Sequence, residues 1–134
     1  MKKIVHIEDN LEWQTKVKES LKSLEGIELV QFTSYEELFN LISQEKSLPQ
    51  LYILDRHICD RPDDIGPNDQ SWRKALKVIS HLSPGEKNTI MLSNHAPYDF
   101  GKYLCVLGAF PKQTFNPDYF RSQIKYYLEK QNGA

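Results

Sequence analysis

The stretch that decides the fold is Leu51-Tyr52-Ile53-Leu54-Asp55, four apolar residues followed at once by a carboxylate. Its apolarity is continuous rather than alternating, which is typical of a parallel strand that helices cover on both faces. A side chain directly after such a strand lies at the edge of the sheet where open α/β folds bind their ligands. The stretch therefore predicts a buried strand with Asp55 at a functional edge.

Four further apolar runs lie along the chain, at Ile4–Ile7, Ile27–Phe32, Thr89–Leu92 and Val106–Phe110. The segments between these runs have apolar residues at helical spacing. The helical signals are a stripe of Trp13, Val17, Leu21 and Leu24 closed by Gly26, a capping box of Ser34 and Glu37, a stripe from Trp72 to Leu82, and the helix start Asn116-Pro117. Another helix is predicted to begin near Pro97, although Gly101 lowers its stability by roughly 1 kcal/mol relative to alanine. The order βαβαβαβαβα predicts one doubly wound α/β domain.

Length and composition restrict the function further. The chain has 134 residues, 40% of them hydrophobic and 26% charged, and a formal net charge of -1. These values are typical of one globular domain and show no basic face for nucleic acid. No apolar run is long enough to span a membrane, and the N-terminus is charged where a signal peptide is apolar. Cys59 and Cys105 have no spacing typical of a disulfide framework or a zinc site. We therefore expect a cytoplasmic protein with a single domain over residues 1–134 and no effector domain.

Polar side chains follow four of the five strands. Because the carboxyl ends of parallel strands meet at one edge of a sheet, three carboxylates, a hydroxyl and an ammonium are predicted to converge there, from Glu8-Asp9, Asp55, Ser93-Asn94 and Lys112. Clustered carboxylates repel one another and call for a cation. Mg²⁺ prefers oxygen ligands of this kind, so Glu8, Asp9 and Asp55 are candidate ligands.

This set of residues, in this order, resembles the bacterial two-component response-regulator receiver domain (CheY-like), and the resemblance covers essentially the whole chain. It implies a flavodoxin-like (βα)5 fold with a five-stranded parallel sheet in the order 2-1-3-4-5. It also implies a phosphoryl group accepted on Asp55, with Ser93 and Lys112 binding the phosphoryl oxygens. The Mg²⁺ ligands would then be Glu8, Asp9, Asp55 and the backbone carbonyl of His57.

The resemblance implies a sensor histidine kinase or a histidine phosphotransfer protein as phosphodonor, and it allows a downstream protein target. From charge and hydropathy we expect no nucleic-acid partner and no membrane partner. The chain would be no enzyme beyond its own phosphorylation and dephosphorylation. Three alternatives stay open. One is a phosphorylation-independent binding module of receiver fold, or pseudo-receiver. Another is a zinc site formed by His57 and His95 together with the carboxylates. The third is a haloacid-dehalogenase-type phosphatase, which is disfavoured because His57 stands where that family needs a second aspartate.

Four positions depart from the receiver pattern. The loop from Arg56 to about Asp69 is long for a βα connection and has Cys59 where the family has proline, so it is interpreted as a lid, a docking element or an inert insertion. Asn94 replaces a small residue and is expected to narrow access to the phosphoryl pocket. Ala109 replaces the family's switch aromatic. Gln113 replaces the proline after the lysine. We therefore expect complete phosphorylation chemistry but a non-standard output.

Overall fold

The structure is a computed structural model that describes residues 1–44, 48–68, 70–94 and 103–132. The strands within these ranges are β1 (Lys2–Ile7), β2 (Ile27–Phe32), β3 (Leu51–Leu54), β4 (Thr89–Ser93) and β5 (Val106–Pro111). The α-helices are α1 (Leu11–Leu21), α2 (Tyr35–Gln44), α3 (Ser71–Leu82) and α4 (Pro117–Asn132), and a 3₁₀ turn covers Lys112–Thr114. The helix predicted near Pro97 lies outside the described residues, as do His95 and Asp69.

The five strands form one sheet in the order β2-β1-β3-β4-β5, and every neighbouring pair is parallel. This confirms the predicted fold class and strand order. Ile7 pairs with Leu54, so Glu8 and Asp55, the residues that follow them, leave the sheet side by side. Ser93 pairs with Pro111, the residue directly before Lys112. The register therefore brings the polar ends of β1, β3, β4 and β5 to one edge.

Alternate residues of the strands pack into two apolar clusters, one on each face of the sheet. Val5 and Ile7 lie in the cluster under α2 and α3, whereas Ile4 lies in the cluster under α1 and α4. The first cluster is built around Trp72, which is fully buried. Burial on both faces explains the continuous apolar sequences of the central strands β3 and β4.

Side-chain caps start three of the helices. Asn10 Oδ1 accepts the backbone N–H of Trp13 (3.1 Å) at the start of α1, and Asn116 Oδ1 accepts the N–H of Tyr119 (3.0 Å) at the start of α4. At α2, Ser34 Oγ accepts the N–H of Glu37 (3.3 Å) and donates to its carboxylate (2.9 Å). Each cap satisfies backbone donors that a helix N-terminus leaves without an intrahelical partner. The predicted starts of α2 and α4 are thereby confirmed.

The end of α1 differs from the sequence prediction. The apolar stripe runs to Leu24, but the helix ends at Leu21, and a turn with an N–H···O bond from Leu24 to Leu21 (3.0 Å) follows. Leu24 still packs against the cluster under α1 and α4. Gly26 has a φ of 73° and its carbonyl accepts the N–H of Lys2 (2.9 Å), so it turns the chain into β2 rather than ending the helix.

None of the helices that the structure describes is both long enough and apolar enough to cross a lipid bilayer.

Candidate functional site

The predicted edge of the sheet contains a buried cluster of charged side chains. Glu8 follows β1, Asp55 follows β3 and Lys112 follows β5, and their exposed fractions are 0%, 2% and 8%. Charged side chains are almost never buried to this degree unless they are paired. Glu8 and Asp55 come immediately after the buried ends of β1 and β3, which explains their burial. Lys112 follows the edge strand β5 and reaches inward to the two carboxyl groups.

Lys112 joins the two buried carboxylates. Its Nζ donates to Glu8 Oε1 and to Asp55 Oδ2, the latter at 3.2 Å. A second donor reaches Glu8, since the backbone N–H of Asn10 lies 3.3 Å from Oε2. The ammonium therefore offsets the negative charge that this buried pair of carboxyl groups brings into the interior.

Asp9 completes a group of three carboxylates. One oxygen from each of Glu8, Asp9 and Asp55 lies within 4.8 Å of the others, and Asp9 is partly exposed. Asp55 Oδ1 is buried and has no hydrogen-bond partner among the described residues. A set of carboxylate oxygens, one of them uncommitted and one reachable from solvent, fits Mg²⁺. No histidine or cysteine of the described part of the chain belongs to this group, which does not favour zinc.

The electrostatics of the cluster favour a proton on Glu8. Burial, a hydrogen bond with Asp55 and the charge of Asp55 together raise the pKa of Glu8 from 4.5 to about 9, although Lys112 acts in the opposite direction. Without a metal ion, Glu8 is therefore neutral at neutral pH. A divalent cation would have to displace that proton.

Beneath the cluster lies a buried histidine that sequence reasoning missed. His6 Nδ1 is 3.1 Å from Gln31 Nε2, and the same amide donates to the carbonyl of Gln14 (2.8 Å). This geometry makes Nδ1 an acceptor and assigns the ring proton to Nε2, which is buried without a partner among the described residues. Burial lowers the pKa of His6 from 6.5 to about 3, so the ring is neutral at physiological pH. The only signal in the sequence was a polar residue within the apolar run of β1.

No family model matches the chain, and no curated protein matches its sequence. The structure, by contrast, is similar to solved structures of receiver domains and response regulators. A CheY-like response regulator receiver domain from Methanospirillum hungatei has a TM-score of 0.73 at 22% identity, with 98% of this chain and 97% of that chain covered. The signal receiver domain of an HD domain-containing protein from Pseudomonas fluorescens has a TM-score of 0.77 at 12% identity, with 99% and 98% covered. A two-component response regulator from Clostridium difficile has a TM-score of 0.75 at 16% identity, with 99% and 100% covered.

The chain has the fold of response-regulator receiver domains. These identities are low, so the likeness concerns the fold, and the chemistry rests on the side chains of this chain. Of the predicted site residues, Glu8, Asp9, Asp55 and Lys112 lie together. Ser93 is buried at the end of β4, beside the strand that leads into Lys112. His57 lies partly buried two residues beyond Asp55, and its carbonyl stays a predicted metal ligand.

Two departures from the receiver pattern contact each other. Gln113 Nε2 donates to the backbone carbonyl of Asn94 (2.8 Å), so the residues after β4 and β5 are linked across the edge of the sheet. Ala109, at the place of the switch aromatic, is exposed on β5. Beside the charged cluster, this chain therefore has a side-chain link between the ends of β4 and β5 and a methyl group at position 109.

The long loop after β3 packs on the neighbouring β2–α2 connection. Cys59 N–H donates to the carbonyl of Thr33 (3.3 Å), and its carbonyl accepts from Tyr35 (2.9 Å), which forms a parallel bridge between Ser34 and Cys59. Since β1 lies between β2 and β3, this bridge crosses near the end of β1. Burial raises the pKa of the Cys59 thiol, and the charge of Asp9 adds to the effect, which places the loop beside the acidic cluster. The described part of the loop is thus anchored to the fold.

Trp13 was predicted only as a core residue of α1, but it also contacts the site. The Nζ atom of Lys112 lies 5.0 Å from the centroid of its ring. The ring packs edge-on against Phe115, with centroids 5.3 Å apart and an interplanar angle of 73°. The signal available in the sequence was position, because the first turn of the helix after β1 lies at the same edge of the sheet.

Proposed function

We propose that this chain is a receiver that accepts a phosphoryl group on Asp55, in a Mg²⁺-dependent reaction, from a sensor histidine kinase or a histidine phosphotransfer protein. It then signals by protein–protein contact in the cytoplasm. The observation that carries the proposal is the environment of Asp55. Its Oδ1 atom is uncommitted among the described residues, while Oδ2 accepts from Lys112 (3.2 Å) and two further carboxylates lie within reach of one cation.

The chemistry follows from that environment. Asp55 Oδ1 attacks the phosphorus of a phosphohistidine, the nitrogen–phosphorus bond breaks, and the electron pair leaves with the imidazole, which takes up a proton. Lys112 lies beside the nucleophile and can hydrogen-bond a phosphoryl oxygen, and the Ser93 hydroxyl is proposed to bind another. Glu8, Asp9 and Asp55 would hold Mg²⁺, which would supply positive charge against the transferred group.

The proposed reaction transfers one phosphoryl group per chain and does not turn over an external substrate. The protein is therefore proposed to be a phosphoacceptor and no enzyme in the ordinary sense. Its structural neighbours named above are receiver and response-regulator proteins, which supports this proposal over the phosphatase alternative.

Intact-mass measurement after incubation with acetyl phosphate or phosphoramidate, with and without Mg²⁺, tests the proposal. We expect the added mass of one phosphoryl group only when Mg²⁺ is present, and none on Asp55→Asn. Asp63→Asn is the matched control, since Asp63 is an exposed aspartate of the following loop and should leave labelling unchanged. A label that persists on Asp55→Asn contradicts the proposed acceptor.

A second candidate function is a pseudo-receiver that binds partners without phosphorylation. Ala109 and the link between Gln113 and Asn94 favour it, because both change the route by which a phosphoryl group would alter the surface. The absence of any Mg²⁺-dependent label, from small donors and from histidine phosphotransfer proteins alike, would select this candidate.

A further inference from the structure

In the candidate site, the aromatic ring of Trp13 contacts the ammonium group of Lys112. Lys112 Nζ is 5.0 Å from the centroid of the Trp13 ring, within the range of a cation–π interaction. The side chain of Lys112 is only 5% exposed, so water screens this attraction weakly. Trp13 is itself held in place, because Asn10 caps its backbone N–H and Phe115 packs against the ring.

We propose that Trp13 is a positioning residue for Lys112, holding the ammonium beside Asp55 while Mg²⁺ occupies the carboxylates. The inference rests on the proposed function. It assigns a role to a helix α1 residue that the motif of strand-terminal residues does not include.

The need for such a contact follows from the partners of Lys112. Among the described residues, its ammonium contacts Glu8, Asp55 and the ring of Trp13. A divalent cation bound by the carboxylates takes up their lone pairs and repels the ammonium. Of the three contacts, the ring is the one that Mg²⁺ does not claim, since an aromatic face is a poor ligand for a hard cation. The ring therefore keeps Lys112 near Asp55 when the other two contacts weaken.

A second cation also lies over the same ring. Lys16 Nζ is 4.4 Å from the ring centroid, but its side chain is 48% exposed and pairs with Glu12 at 3.6 Å. Water and Glu12 weaken its hold on the ring, so Lys16 is not expected to support the reaction. Lys16→Gln is accordingly a matched control that removes a cation from the ring without touching Lys112.

The first test compares phosphorylation rates at saturating Mg²⁺. We expect Trp13→Leu to lower the rate about two- to tenfold, Trp13→Phe to give an intermediate rate, and Lys16→Gln to keep the wild-type rate. The Kd for Mg²⁺ should change less than about twofold, because Trp13 contributes no oxygen ligand. A wild-type rate in Trp13→Leu, or a loss of rate that a change in Mg²⁺ affinity fully explains, overturns the proposal.

Fluorinated tryptophan separates the charge effect from packing. Mono-, di- and trifluorinated tryptophan weaken the negative face of the ring with little change in size, so the rate should fall in steps with each fluorine. The same series in the Trp13→Leu background labels only Trp72 and should show no steps. If fluorination changes the phosphorylation rate equally in the wild-type and Trp13→Leu backgrounds, the proposal is overturned, even if Trp13→Leu itself is phosphorylated slowly.

A third measurement does not depend on phosphorylation. The ring current of Trp13 should shift the ε-methylene signal of Lys112 upfield in the metal-free protein, and Trp13→Leu should return it to its usual position. Lys112→Met identifies the signal by its loss. If the wild type takes up no phosphoryl group but the upfield shift is present, the proposed function fails while the contact stands. If the shift is absent, the positioning role fails whatever the labelling shows.

Discussion

At the scale of single residues, the carboxyl group of Glu8 holds a proton in the metal-free protein and is also a candidate metal ligand. Burial and the negative charge of Asp55 raise its pKa to about 9, whereas the bound cation requires the carboxylate form. Mg²⁺ binding should therefore release nearly one proton per ion at neutral pH, and the affinity should increase by up to tenfold per pH unit between about pH 6 and about pH 8. Calorimetric titration in buffers of different ionisation enthalpy measures both quantities.

The control for the link between Mg²⁺ binding and proton release is Glu8→Gln, which keeps the shape of the side chain but cannot lose a proton. Its Mg²⁺ affinity should be weaker than that of the wild type and nearly independent of pH over the same interval. A wild-type affinity that does not vary with pH contradicts the protonation state assigned to Glu8.

At the scale of elements, the start of α2 carries a cap that is both buried and reciprocal. Ser34 Oγ is fully buried, accepts the N–H of Glu37 and donates to a carboxylate that Thr33 also contacts. Ser34→Ala should lower the free energy of unfolding by about 1 kcal/mol, because the N–H of Glu37 then loses its acceptor. Urea unfolding monitored by circular dichroism measures the change.

Ser43→Ala is the matched control on the same helix. Ser43 is exposed, and alanine has the higher helix propensity, so this change should be neutral or slightly stabilising. If Ser34→Ala and Ser43→Ala lower the free energy of unfolding equally, the cap makes no specific contribution to stability.

The same elements show how far sequence reasoning reaches. Strands β3 and β4 were predictable because burial of every residue leaves a continuous apolar run. Ser34 with Glu37 predicted the start of α2 because a capping box is local. The end of α1 at Leu21 was not predictable, since Leu24 packs equally well from a turn. The bridge between Ser34 and Cys59 was also missed, because it joins loops that only the folded sheet brings together.

The candidate site, too, was predictable from the sequence only in part. Strand ends predicted that Glu8, Asp9, Asp55 and Lys112 meet, because strand direction alone determines that edge. The contacts that give them their properties depend on rotamers and on neighbouring elements. Neither the ring of Trp13 over Lys112 nor the burial of His6 beside Asp55 has a signature in spacing.

At the scale of the whole molecule, two buried groups make stability depend on pH in opposite directions. The pKa of Glu8 is raised to about 9, so its contribution is present below 4.5, its value in the unfolded chain, and is lost as pH rises toward 9. The pKa of His6 is lowered to about 3, so its contribution is present above 6.5 and is lost as pH falls toward 3. Between 4.5 and 6.5 the two slopes oppose each other.

The metal-free protein should therefore be most stable between about pH 4.5 and about pH 6.5, and its free energy of unfolding should fall by up to about 1.4 kcal/mol per pH unit above that interval. Urea unfolding in the presence of a chelator, at a series of pH values, measures this dependence of stability on pH.

Glu8→Gln should flatten the decline in stability at high pH and leave the decline at low pH, whereas His6→Val should do the reverse. Saturating Mg²⁺ should also remove the decline at high pH, because the bound ion stabilises the carboxylate form that the folded protein otherwise resists. A metal-free wild type that gains stability from pH 7 to pH 9 would show that Glu8 is ionised in the folded protein, and the proton release expected at the site would fail with it.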